Sequence, residues 1–71
     1  MYLFSFEVHH RIFVAHKEGN SVIVSINMGK FRWNHFMTIN YKEDAFNYMD
    51  ALKKDAIKTV TNYLTLPTGG S

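Results

Sequence analysis

A chain of 71 residues, 46% hydrophobic and 20% charged, is long enough for one small domain and too apolar to remain disordered, which excludes a two-domain enzyme and a solvated tail alike. The net charge is +2 and cysteine is absent, so disulfide staples, thiolate zinc sites and a cysteine nucleophile are excluded and the cytoplasm is the expected compartment. No membrane partner is expected, because the longest apolar run is Ile12 to Ala15 and Ser5 and Glu7 interrupt the stretch a signal peptide would need.

Apolar residues alternate from the start through Tyr2, Phe4, Phe6, Val8, Ile12 and Val14, with His10 and His16 in phase. This predicts one long strand over residues 2–16. A turn at His9-His10 would set Arg11 beside Val8 and Ile12 beside Glu7, mixing the two faces, so a bend or bulge is expected there at most. Lys17-Glu18-Gly19 has the form of a three-residue hairpin loop that pairs His16 with Asn20, Val14 with Val22 and Ile12 with Val24. A second strand follows over residues 20–28. Gly29-Lys30 has the Gly-X form of a two-residue turn, which pairs Met28 with Phe31, Ile26 with Trp33 and Val22 with Met37 along a third strand, residues 31–39.

The last element is a helix over residues 41–64. Asn40 and Glu43 have capping-box spacing, acids precede lysines along the segment, and Pro67 lies downstream. Ala45, Met49, Leu52, Ala56, Val60 and Tyr63 form its apolar stripe, with Phe46, Ile57 and Leu64 beside it as a wider core face or a subunit contact. The expected fold is therefore α+β: a three-stranded antiparallel meander with a long first strand and one C-terminal helix on one face, a single βββα domain over residues 1–66. Residues 67–71 read as a flexible tail, and its Gly-Gly-Ser as a remnant of cloning.

A single helix leaves the other face of the sheet uncovered. The register above places Phe13, Ile23 and Phe36 in a row across that face, with Arg11, Asn34, His9, Asn27 and Arg32 beside them. Such a row is expected to bind another protein, as in the small inhibitors or adaptors that mobile genetic elements encode. A nucleic-acid module using the same face is the alternative, since aromatic sheets flanked by Arg and Asn resemble single-strand-binding surfaces in composition, and a three-stranded sheet with a C-terminal helix is similar in architecture to integrase-type and plant AP2-type DNA-binding domains. Three cations are few for phosphate neutralisation, so protein is preferred. The stretch Tyr2, Phe4, Phe6 overhangs its neighbour and is expected to pair with a second copy, giving a homodimer through the first strand.

No enzyme chemistry is expected. His9 and His10 point to opposite faces, and His10, His16 and His35 lack a carboxylate to orient them, so no metal or cofactor is predicted and the imidazoles read as seam residues. Glu7, His9 and Arg11 would supply an acid, a base and a phosphate clamp for a ribonuclease, but nothing else supports one. Trp33 reads as core, beside Ile26.

Overall fold

The computed structural model describes residues 1–65. The proposed tail, residues 67–71, lies outside the described residues, as does residue 66. The fold is α+β, an antiparallel sheet with one C-terminal helix, but the sheet has four strands rather than three: β1 (Tyr2–Val8), β2 (Arg11–Glu18), β3 (Ser21–Asn27) and β4 (Trp33–Asn40), in spatial order β1-β2-β3-β4. A short 3-10 helix (Glu43–Asn47) leads into α1 (Met49–Thr65).

The segment expected to be one strand folds back on itself at His9-His10. Both residues have positive φ, 52° and 66°, the pattern of a type I′ hairpin turn, which matches the right-handed twist of paired strands. Histidine is among the few non-glycine residues enriched in this conformation. Val8 faces Arg11 and Glu7 faces Ile12, the pairing that alternation alone disfavours. The reason is that Ile12 to Ala15 is apolar on both sides, so its alternation carries no phase. Phe13 and Ala15, both 0% exposed, take the core side, and Ile12 is left 49% exposed.

The β2–β3 connection is tighter than expected as well. Gly19 and Asn20 form a two-residue turn with Gly19 at φ 62°, so Glu18 pairs with Ser21, His16 with Ile23 and Phe13 with Ile26. At the far end the chain needs five residues, Met28 to Arg32, to connect Asn27 to its partner Trp33. Inside that loop the Arg32 N–H donates to the Gly29 carbonyl at 2.8 Å, and the Met28 N–H to the Arg32 carbonyl at 2.8 Å.

Two bulges interrupt the ladders. Leu3 is unpaired between Tyr2 and Phe4 in β1, and Phe36 between His35 and Met37 in β4. An extra residue reverses the facing of everything beyond it. Leu3 and Phe36 themselves pack toward the core.

The core is Phe4, Phe6 and Val8 of β1, Phe13 and Ala15 of β2, Val22, Val24 and Ile26 of β3, and Leu52, Ala56 and Val60 of α1. Phe6 stacks on Phe13 at 5.4 Å between centroids, Phe13 meets Phe36 edge-on at 5.1 Å, and Phe36 meets Tyr63 at 5.3 Å. Leu52, Ala56 and Val60 at i, i+4 and i+8 give α1 one buried stripe, and the small Ala56 lets the helix approach the sheet. Phe46, Ile57 and Leu64 pack beside it as a wider core face, whereas Met49 is 37% exposed and Tyr63 57%.

The helix begins later than the capping-box spacing implies. Asn40 is still in β4, where its Oδ1 accepts from the Ser21 hydroxyl at 2.6 Å, and the Tyr41 N–H donates to the Asn20 carbonyl at 2.9 Å. With Asn40 committed to the sheet, Lys42 takes the cap position without a side-chain bond, and the 3-10 helix carries the chain over the sheet.

Candidate functional site

The strand pairings define the face opposite α1. It carries Tyr2, Ser5 and Glu7; Ile12, Val14, His16 and Glu18; Ser21, Ile23, Ser25 and Asn27; and Trp33, His35, Thr38 and Asn40. With histidine neutral, its charged residues are Glu7 and Glu18, and no other element of the described residues lies over it.

Tyr2, Val14, His16, Ser25 and Trp33 wall a shallow hollow of about 470 Å³ on this face. Its two aromatic walls come from opposite edges of the sheet, and each is turned this way by a bulge: Leu3 reverses Tyr2, and Phe36 reverses His35 and Trp33. His16 and Val14 join them because the His9-His10 turn sets the phase of β2. The Tyr2 ring meets His16 edge-on at 6.1 Å, and His35 Nε2 lies 2.8 Å from the Thr38 hydroxyl. Trp33 is 45% exposed, so the indole is a wall of the hollow rather than part of the core.

The row expected from sequence is not assembled. Phe13 is fully buried and Phe36 half-buried on the helix side, while Ile23 alone lies on the open face, between His16 and Thr38. Arg11 follows the His9-His10 turn and faces Val8, Arg32 closes the five-residue loop, and Asn34 faces Ile26 on the helix side. Asn27 lies on the open face, but its Oδ1 accepts the Gly29 N–H at 2.7 Å, which braces the loop. Of the three residues expected to form a free edge, Phe4 and Phe6 are core residues and Tyr2 is exposed.

β1 is nevertheless an edge strand. Met1 and Lys17 exchange backbone hydrogen bonds, and alternation from that pair turns the Phe4, Phe6 and Val8 amides toward β2 and the Tyr2, Ser5 and Glu7 amides outward.

A second hollow, about 270 Å³, lies between the 3-10 helix and α1, lined by Tyr41, Ala45, Tyr48, Ala51, Leu52 and Asp55. Two of its polar groups pair: the Tyr41 hydroxyl donates to Asp55 Oδ2 at 2.6 Å. Burial, then that hydrogen bond and the Asp55 charge, hold the Tyr41 phenol well above the ordinary tyrosine range.

Among the described residues no three His, Asp or Glu side chains gather as a metal site. No helix among them is long and apolar enough to cross a membrane. No protein-family model, curated protein or solved structure matches the chain, and its function is read from the geometry of this face.

Proposed function

We propose that the chain is a non-enzymatic binding module that takes another protein on its open sheet face, with an apolar side chain of the partner seated between Tyr2 and Trp33. One observation carries this reading: two separate bulges, at opposite edges of the sheet, aim an aromatic residue into one hollow. Each bulge folds its unpaired residue, Leu3 or Phe36, onto the core, while the ring it turns to the open face stays accessible, Tyr2 at 57% and Trp33 at 45%. Val14 and Ile23 extend the apolar surface, while Ser25, Asn27 and Thr38 offer the polar surround common at protein interfaces. Arg11 and Arg32 lie off this face, which weighs against phosphate backbone as its ligand. A small inhibitor or adaptor is the role that such a face on so small a domain serves.

The test is affinity capture by the full chain beside the Trp33→Asp and Phe31→Ser variants, each checked for native circular dichroism. A partner recovered by the parent and by Phe31→Ser, and lost with Trp33→Asp, is the expected result. Recovery of the same partner by Trp33→Asp, or of none by the parent, overturns the reading.

A further inference from the structure

Alternating strands bring the His9-His10 turn and the Met28–Arg32 loop to the same end of the sheet, where His9, His10, Arg11, Ile12 and Asn27 line a hollow of about 560 Å³. Phe31 projects from this end with 99% of its surface exposed, and Met28 with 48%. Lys30 and Arg32 flank Phe31 in sequence, Arg11 adds a third cation, and neither connection contains an acid.

Phe31 is also held at φ 57°, a conformation that a bulky side chain adopts only at a cost. The Asn27 side chain and two backbone bonds within the loop fix it there. A glycine or asparagine would suit this turn better, and the ring makes no contribution to the core. An outlier of this kind points to use of the side chain outside the fold.

We propose that this end docks on the surface of an anionic bilayer, with Phe31 and Met28 entering the headgroup layer and Lys30, Arg32 and Arg11 lying against lipid phosphates. Met28 and Arg32 pair at the neck of the loop, and Lys30 and the fully exposed Phe31 stand at its tip, so apolar and cationic groups are presented together, as the headgroup layer of a bilayer accommodates. A duplex would have to open a base step for each apolar residue. A bilayer needs no preshaped pocket, and one apolar insert joined to a basic patch supplies the two signals that reversible membrane binding requires. The proposal is independent of the protein-binding face, because the residues it uses do not wall the Tyr2–Trp33 hollow.

The experiment is co-sedimentation of the full chain with vesicles of phosphatidylcholine alone or mixed equally with phosphatidylserine, with Trp33 fluorescence as a second readout. Binding to the phosphatidylserine vesicles, little to phosphatidylcholine alone, and weakening with salt are expected. Lys30→Gln and Arg32→Gln should each weaken it about fivefold, and Phe31→Ser about tenfold or more. Tyr48→Ser, at an exposed aromatic between the 3-10 helix and α1, should leave it unchanged. Absence of vesicle binding, binding that survives Phe31→Ser, or a shift of duplex DNA without vesicle binding overturns the proposal.

Discussion

Tyr2 and Trp33 stand on strands separated by the full width of the sheet, yet they wall the same hollow, each turned toward it by one unpaired residue in its own strand. Without Leu3 and Phe36 both rings would point to the helix side. Their shared orientation depends on the bulges and not on the alternation of the sequence.

The His9-His10 turn holds two non-glycine residues in the left-handed region. Replacing them together by Asn-Gly should raise stability by about 1–2 kcal/mol, since that pair adopts a type I′ turn at least cost. Thermal unfolding should show the midpoint rising by several degrees. A lower midpoint would mean that the imidazoles make contacts that outweigh the strain.

Phe13 and Ile23 give opposite expectations. Phe13→Ala should cost about 3–5 kcal/mol, enough to unfold much of so small a domain, because the ring is buried against Phe6 and Phe36. Ile23→Thr, on the open face, should change stability by less than about 1 kcal/mol. Urea unfolding of the two variants checks which face each residue occupies.

Tyr41→Phe removes the hydrogen bond to Asp55 and should cost about 1 kcal/mol. The folded chain holds the Tyr41 proton more tightly than the unfolded chain, so this contribution is complete below pH 10, the ordinary phenol value, and declines as pH rises beyond it. A spectrophotometric titration should lose its latest-ionising phenol in the variant. The excess alkaline sensitivity of the parent over Tyr41→Phe should appear only above pH 10.

Self-association through β1 would use the outward amides of Tyr2, Ser5 and Glu7. Light scattering over a hundredfold concentration range should then approach twice 8.3 kDa. Ser5→Pro should return it to the monomer with the fold intact, because proline on the free side of an edge strand loses no ladder bond. Phe4→Pro should unfold the chain instead, since that amide faces β2. A monomeric mass throughout removes the edge dimer.

The helical segment, its stripe of Leu52, Ala56 and Val60, and the core role of Val22, Val24 and Ile26 are legible in the sequence because each element has one apolar side. The facing of β2 is not. Ile12 and Val14 are as apolar as Phe13 and Ala15, and only the position of the preceding turn chooses between them. Trp33 escapes for a related reason: its phase follows correctly from Met37 and Ile39 until Phe36, an apolar residue with nothing in its chemistry to mark it as unpaired, breaks the count. The open face is legible only where register is fixed: Ile23 and Asn27 lie on it because β3 has no such ambiguity, whereas the walls of the hollow depend on the bulges and the His9-His10 turn.

Every strand pairs only with its neighbours in sequence, whereas α1 packs on β1, joining the last element to the first. Assembly of the sheet thus closes connections of only a few residues, at small entropic cost, and the hairpins can form independently within microseconds. Docking of α1 is the one event that must bridge almost the whole chain. It completes the core around Phe4, Phe6 and Val8, so substitutions at Leu52 or Val60 should chiefly accelerate unfolding, while changes in the turns alter the rate of folding.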